Sequence, residues 1–109
     1  MNKKEIISYF KLNKIQVEKI EFFILKIINH NKHTNLVGKS TIENIWNRHV
    51  LDCLQLSKHI GNRGLKILDL GTGAGLPGIL LSIVGFKNIL MVDSVKKKTD
   101  FIIDVIKEL

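Results

Sequence analysis

Apolar residues recur at steps of three and four through the first half of the chain, which is the spacing of an amphipathic helix. This spacing predicts a short helix over residues 2–12 and a longer one over residues 16–30. Turn-forming residues interrupt the pattern over 31–39 and predict a loop. Ser40 and Glu43 have the spacing of a capping box, so a third helix is predicted to start there and to continue to about residue 59.

The hydrophobic pattern changes after the glycines of residues 61–64. A short apolar run over 65–70 predicts a buried strand, and a helical segment over 79–84 follows it. A second apolar run predicts another strand over 88–93, and residues 95–109 have the pattern of a last helix. The segment between the two strands is far too long for a hairpin turn, so the order β-α-β-α predicts parallel strands with a right-handed crossover.

Length and composition fit one small folded unit. The 109 residues are 45% hydrophobic and 25% charged, which is typical of a globular chain with one core. The formal net charge of +7 favours a polyanionic partner, either nucleic acid or an anionic membrane surface. Lysine-rich coding in an AT-rich genome would explain the same excess, so the charge alone does not identify a partner.

Other features of the sequence narrow the class of protein. Cys53 is the sole cysteine, so no intrachain disulfide can form, and its neighbours predict an apolar role in a helix. Lys3 and Lys4 lead into an amphipathic pattern rather than the apolar core of a signal peptide. No apolar run is long enough to span a bilayer. We therefore expect a cytoplasmic protein without a membrane partner, and no His, Cys and Asp spacing predicts a metal site.

Four glycines lie between the first predicted strand and the helix that follows it. They are Gly71, Gly73, Gly75 and Gly78. Glycines at such a turn let the backbone bend tightly and let a ligand approach closely, while the helix start offers unpaired N–H groups. Asp93 ends the next strand, about 20 residues further on, where a carboxylate can accept hydrogen bonds from ribose hydroxyls. The pattern predicts a nucleotide-type ligand.

Two alignments of this loop favour different nucleotides. From Gly73 onward, G-A-G-L-P-G matches the dinucleotide pattern G-x-G-x-x-G. From Asp69 onward, D-L-G-T-G-A-G resembles the cofactor motif of class I methyltransferases. The negative charge of Asp69 at a strand end suits the cationic amino-acid part of S-adenosylmethionine better than a pyrophosphate, and it favours the second alignment.

Further sequence motifs narrow the resemblance from class I methyltransferases in general to one family. In chain order they are Asn35-Leu36, Arg48-His49 with Asp52, the run from Asp69 to Gly78, and Asp93-Ser94 with Lys97-Lys98 and Phe101. This order is similar to that of the 16S ribosomal RNA guanine-N7 methyltransferase family (the RsmG or GidB family) over most of residues 30–109. The chain departs from the family pattern at Cys53, where Ser is usual, at Gly38, where a Thr is absent, and at Lys98, which replaces Arg.

The resemblance implies an α/β fold in two regions. Residues 1–62 would form an N-terminal helical region, and residues 63–109 would start a Rossmann-like cofactor domain with the first βαβα of the class I methyltransferase fold. We expect the chain to be truncated before that fold is complete. The implied cofactor is S-adenosylmethionine and the implied partner is 16S ribosomal RNA or the small ribosomal subunit. Guanine N7 carries a lone pair and needs no deprotonation before it accepts a methyl group.

The resemblance also assigns residues to the two sides of a site. The cofactor-binding positions that it implies are Asp69, Gly71, Gly73, Gly75, Leu76 and Asp93. The possible substrate-side positions are Asn35, Arg48 and His49. No catalytic residue or metal ligand is assigned.

Simpler structural roles compete with these assignments. Arg48 and Asp52 are four residues apart on one predicted helix, so an ion pair would explain both. His49 lies among apolar helix positions, where packing is its usual role, and Asn35 is also a common turn residue. Residues 96–98 are lysines at a predicted helix start, where positive charge is electrostatically unfavourable, and this favours a contact with RNA phosphate there.

Three functions stay open from the sequence. The first is a methyltransferase, the second a unit that binds NAD or FAD, and the third a non-catalytic remnant associated with RNA or the ribosome. Asp69 argues against the second. The expected truncation favours the third over a working enzyme.

Overall fold

A computed structural model describes residues 1–32, 36–38 and 43–109 of the chain. The α-helices are α1 (Lys3–Tyr9), α2 (Lys14–Asn31), α3 (Leu51–Ile60), α4 (Gly78–Ile83) and α5 (Lys96–Glu108). A π-helical segment (Trp46–Val50) leads directly into α3. The strands are β1 (Lys66–Leu70) and β2 (Asn88–Val92). The predicted order of helices followed by β-α-β-α is confirmed.

Asparagine side chains start the first two helices. Asn13 accepts a hydrogen bond from the Gln16 backbone N–H at 2.8 Å, and the Gln16 side chain accepts one from the Asn13 N–H at 3.0 Å. Asn2 and Glu5 form the same reciprocal pair at α1. These capping boxes satisfy N–H groups that no helical carbonyl can reach.

The start predicted for the third helix falls partly on residues 39–42, which lie outside the described residues. Glu43 lies in a turn. Ser40, the proposed cap, is outside the described residues. From Glu43 onward, helical structure begins at Ile45, and the π-helical segment Trp46–Val50 then continues into α3.

The two strands are parallel, as predicted, with Lys66 opposite Asn88 and Leu70 opposite Val92. Side chains alternate across the sheet. Ile67, Ile89 and Met91 point to the face covered by α4 and pack against the hydrophobic core.

One hydrophobic core joins the N-terminal helices to the β-α-β-α region. Its most deeply buried members include Ile20, Phe23, Leu54, Leu80, Phe86 and Val105. The predicted boundary between residues 62 and 63 therefore divides a chain whose two regions share one set of buried side chains.

Arg63 ties the two regions together at that boundary. Its Nε donates a hydrogen bond to the Val84 carbonyl at 3.1 Å, and its Nη1 donates to the Ser57 carbonyl at 3.4 Å. The guanidinium also lies 4.5 Å from the centre of the Phe86 ring. One side chain thus binds carbonyl groups at the ends of α3 and α4 and stacks on a buried aromatic ring.

Asn31 was predicted to belong to a loop, and it is instead the last residue of α2. Its buried side chain accepts hydrogen bonds from the backbone N–H groups of Leu36 at 2.7 Å and Val37 at 3.1 Å. The end of α2 therefore holds the segment 36–38 against the core.

Candidate cofactor site

The glycine loop, residues 71–77, crosses the carboxyl ends of both strands. The backbone N–H groups of Gly71 and Thr72 donate to the Val92 carbonyl at 2.8 and 3.1 Å. Parallel strands end at one edge of the sheet, and in open α/β sheets ligands bind outside that edge. The loop and the end of β2 are therefore one structural unit.

Three glycines of the loop have backbone angles that other residues rarely adopt. Gly71, Gly73 and Gly75 have φ values of +68°, +59° and +92°. A Cβ added at Gly71 or Gly73 would have no heavy atom within 4 Å, so both positions border open space. At Gly75 an added Cβ would overlap the Ile79 side chain. The first two glycines leave room for a ligand, whereas Gly75 makes room for α4.

Asp69 holds the two ends of the loop together. Its Oδ2 accepts hydrogen bonds from the Thr72 hydroxyl at 2.6 Å and from the Gly78 N–H at 3.0 Å. Thr72 is almost completely buried. A Cβ added at Gly78 would overlap Met91 and lie 3.0 Å from this same carboxylate oxygen. Thr72 was not predicted as a site residue, although a hydroxyl between two loop glycines is a signal for such a bond.

Asp93 joins the loop to the end of β2. Its Oδ2 accepts a hydrogen bond from the Gly73 N–H at 2.9 Å, and its Oδ1 accepts one from the Val95 N–H at 2.9 Å. These backbone donors, Val95 first and then Gly73, lower the pKa of Asp93, and the positive charge of Lys98 adds to the effect. Each carboxylate oxygen keeps further acceptor capacity, so the ionised group can also bind two hydroxyls.

The possible substrate-side residues lie at different distances from the loop. Asn35 is outside the described residues. Arg48 is exposed on the π-helical segment, and the described part of the chain shows no ion pair between it and Asp52. His49 is half-buried and borders a narrow apolar gap with Leu76 of the loop. Of the three, the structure brings His49 next to a loop residue.

Burial governs the ionisation of His49 and Cys53, which lie one helical turn apart. Desolvation lowers the pKa of His49, and the nearby Asp52 carboxylate opposes this shift. Burial raises the pKa of the Cys53 thiol to about 12, with contributions from Asp52 and Asp69. Near pH 7 the imidazole is therefore neutral and the thiol protonated, and the apolar role predicted for Cys53 is confirmed.

The three lysines at the start of α5, residues 96–98, have different surroundings. Lys96 forms an ion pair with Asp100 at 2.8 Å, one helical turn further on, while Lys98 approaches Asp93 closely enough to lower its pKa. Negative charge near the first turn therefore offsets part of the unfavourable interaction with the helix dipole. Lys97 is exposed.

The residues that the structure describes offer neither a metal site nor a membrane-spanning helix. They contain no group of three His, Cys, Asp or Glu side chains arranged to hold a metal ion. No helix in residues 1–32, 36–38 and 43–109 has the length and hydropathy needed to cross a membrane.

Comparisons with known proteins bear on this site. The family model GidB, described as rRNA small subunit methyltransferase G, matches residues 16–109. Ribosomal RNA small subunit methyltransferase G of Rickettsia rickettsii (strain Sheila Smith) is 43% identical over 86 residues, which cover 79% of this chain and 45% of that relative. The protein of the same name from Rickettsia prowazekii (strain Madrid E) is 42% identical over 86 residues, with the same shares. The chain spans about half the length of the curated relatives it matches.

Proposed function

Because the chain belongs to the GidB family of rRNA small subunit methyltransferase G proteins, we propose that its glycine loop binds S-adenosylmethionine for methyl transfer to ribosomal RNA. The observation that carries the proposal is the hydrogen bond from the Gly73 N–H to Asp93, which joins the loop to the end of β2. A carboxylate beside open glycine backbone is suited to a ligand that has a ribose and an amino-acid part.

The residues of the loop fit this cofactor. The open space at Gly71 and Gly73 allows close approach of a ligand to the backbone. Asp93 has acceptor capacity for ribose hydroxyls, and the charge of Asp69 suits the cationic amino group. Gly75 and Leu76 complete the loop against α4 and the π-helical segment. When bound, S-adenosylmethionine supplies a methyl group on a positively charged sulfur.

The proposed acceptor is N7 of a guanine in 16S ribosomal RNA, within the small ribosomal subunit and therefore in the cytoplasm. N7 is already a lone-pair acceptor, so the protein has to position it rather than deprotonate it. His49, neutral near pH 7, can orient a base by hydrogen bonding without adding charge. Exposed Arg48 can bind a phosphate. We include Asn35 on the substrate side on the strength of the sequence pattern.

Calorimetry of the 109-residue chain with S-adenosylmethionine tests the cofactor assignment. We expect binding, and we expect Asp93→Asn to weaken it by about 10- to 100-fold because hydrogen bonds to a charged acceptor are lost. Asp104→Asn removes the same charge from an exposed position on α5 and should leave affinity unchanged. Tighter binding of NADH than of S-adenosylmethionine would instead support the dinucleotide alignment of the loop.

A non-catalytic RNA-binding role is the second candidate. The match covers 45% of the relatives' length, and the net charge of +7 favours a polyanion. RNA binding without cofactor binding in the calorimeter would support this candidate over the methyltransferase.

A further inference from the structure

A cleft near the amino-terminal ends of the two strands is lined by three cations. Lys11 follows α1, Lys58 lies on α3 and Arg63 precedes β1, and all three border one opening of about 150 Å³. The described residues that line this basic cleft include neither Asp nor Glu. Residues 1–32, 36–38 and 43–109 contain no ion pair to any of the three cations. The cleft therefore holds positive charge that no carboxylate of the described chain neutralises at close range.

Aromatic rings and backbone carbonyls fix two of these cations in place. The ammonium nitrogen of Lys58 lies 3.8 Å from the centre of the Tyr9 ring and 5.2 Å from that of the Phe10 ring. Such contacts restrain a flexible side chain and leave its charge unchanged. Arg63 uses two of its five N–H donors on backbone carbonyls, so others remain for a ligand. Both charges are thus positioned before any ligand binds.

Lys11 occupies a backbone position that favours glycine. Its φ is +53°, in the left-handed region. The Lys11 N–H donates to the Ser8 carbonyl at 3.2 Å. The Leu12 N–H donates to the Ile7 carbonyl at 3.0 Å, and the two bonds together form the Schellman motif that ends many helices. Most side chains are strained at this position, and strained residues cluster at ligand sites. A strained lysine beside two further cations therefore indicates a use for its charge.

The chemistry of the basic cleft fits the backbone of an RNA strand. A phosphodiester is an anion with several acceptor oxygens, which two ammonium groups and a guanidinium are suited to bind. The cleft has the volume of roughly five water molecules at about 30 Å³ each, which suits a phosphate group but is too small for a whole nucleotide. Tyr9 is 56% exposed beside the cleft, so part of its ring can stack on a base. A lipid headgroup offers no base to stack there, which makes RNA the better partner.

We propose that the basic cleft binds an RNA phosphate at a second site, away from the glycine loop. The cleft lies before the first residue of β1 and the loop follows its last, and the five residues of the strand span roughly 16 Å. A phosphate in the cleft therefore belongs to a different part of the RNA from a guanine held at the loop. Phosphate contacts of this kind fix the orientation of a nucleic acid on a protein. The choice of RNA rests on the proposed function, whereas binding in the cleft does not require S-adenosylmethionine.

Filter binding of the 109-residue chain to 16S ribosomal RNA transcribed in vitro, at several salt concentrations, tests this proposal. Lys11→Gly and Lys58→Gln should each lower the affinity about five- to tenfold at roughly 0.1 M salt and reduce the salt slope by about one. Lys107→Gln, at an exposed position on α5, is the matched control and should leave the salt slope unchanged.

Stability separates a role in RNA binding from a role in folding. Lys11→Gly removes a charge and also relieves the strain at a positive φ, so urea unfolding should show it to be more stable than the wild type while it binds RNA more weakly. Lower stability of Lys11→Gly would overturn the proposal, because the lysine would then serve the fold.

Further measurements distinguish the cleft from other anion sites. Flotation with phosphatidylglycerol vesicles is the membrane arm, and loss of vesicle binding in the cleft variants with unchanged RNA binding would overturn the proposal. Unchanged RNA affinity in both cleft variants, or an equal loss in Lys107→Gln, would also overturn it. Calorimetry should give the same affinity for S-adenosylmethionine in the wild type and both cleft variants. A chain that binds RNA through the cleft but binds no S-adenosylmethionine would refute the proposed function alone.

Discussion

Ionised Asp93, at the end of β2, accepts hydrogen bonds from the Gly73 N–H in the glycine loop and from the Val95 N–H at the start of α5. Its pKa is lower in the folded chain than the usual value of 3.8. The stability that it contributes is therefore fully present above about pH 4 and is lost as the pH falls through the lower folded pKa. We expect the free energy of unfolding, measured with urea, to fall less between pH 6 and pH 3 for Asp93→Asn than for the wild type.

Asp104→Asn, an exposed aspartate on α5, is the control for this pH experiment. The control should show the same loss of stability as the wild type. If Asp93→Asn and Asp104→Asn lose stability equally on acidification, the backbone hydrogen bonds of Asp93 do not contribute to folding.

Cys53 should be chemically inert in the folded chain. Its thiol is buried, and its pKa of about 12 leaves almost no thiolate at pH 8, which is the form that reacts. We expect a thiol reagent such as DTNB to react with Cys53 in denaturant but to react far more slowly in buffer. Rapid reaction in buffer would show that α3 opens readily.

The described structure contains a hydrogen bond between Gly73 and Asp93 and lacks an ion pair between Arg48 and Asp52. Gly73 and Asp93 were predicted as separate cofactor-binding positions, and the hydrogen bond between them, which follows from parallel strands that end at one edge, was not predicted. An ion pair between Arg48 and Asp52 was the simple alternative, and the described structure does not form it. Arg48 lies in a π-helical segment, whose wider turn moves residues four apart out of alignment.

At the scale of elements, Gly73 and Gly75 offer a matched pair of substitutions in one loop. Alanine at either position is strained by about 1–2 kcal/mol because φ is positive. Alanine at Gly75 would also overlap Ile79 of α4, which adds about 1–3 kcal/mol. Denaturant unfolding should show Gly75→Ala to be clearly less stable than Gly73→Ala. Equal stabilities would mean that α4 shifts freely away from the loop.

Arg63 should stabilise the junction between α3 and α4. Replacing it by leucine removes two hydrogen bonds and the contact with Phe86, which together should cost about 1–2 kcal/mol at this exposed position. The same substitution at exposed Arg48 is the control in denaturant unfolding. Arg63→Lys should recover little, because an ammonium cannot make both bonds while stacking on the ring. Full stability of Arg63→Lys would show that charge alone matters.

The elements themselves were largely predictable, whereas their ends were not. Periodicity located both strands and the helices because burial imposes those spacings on the sequence. Capping boxes begin α1 at Asn2 and α2 at Asn13, and neither was predicted from the sequence. The capping box proposed at Ser40 stays a prediction. The π-helical segment has no clear sequence signal, since it depends on packing around Trp46–Val50.

For the whole molecule, the shared core explains why the N-terminal helices and the glycine loop form one structure. Buried side chains of α2, α3 and α4 pack together in a single cluster, and His49 and Cys53 thereby lie beside the loop and Asp69. The sequence predicted the helical stripes, but it could not show which stripe faces which, because that depends on contacts distant in the chain. The substrate-side position of Asn35 stays a prediction.

The 109-residue chain alone should be a poor methyltransferase. Exposed Leu70 and Val92 lie next to the cofactor loop, and the described residues form a sheet of two strands. We expect little or no transfer of labelled methyl groups from S-adenosylmethionine to small ribosomal subunits. We expect RNA binding to persist and to weaken steeply with salt, since a chain of net charge +7 releases counterions from phosphates. The control is the same assay with the full-length Rickettsia rickettsii relative in place of this chain. Ready turnover by the 109-residue chain would show that residues 1–109 are sufficient for methyl transfer.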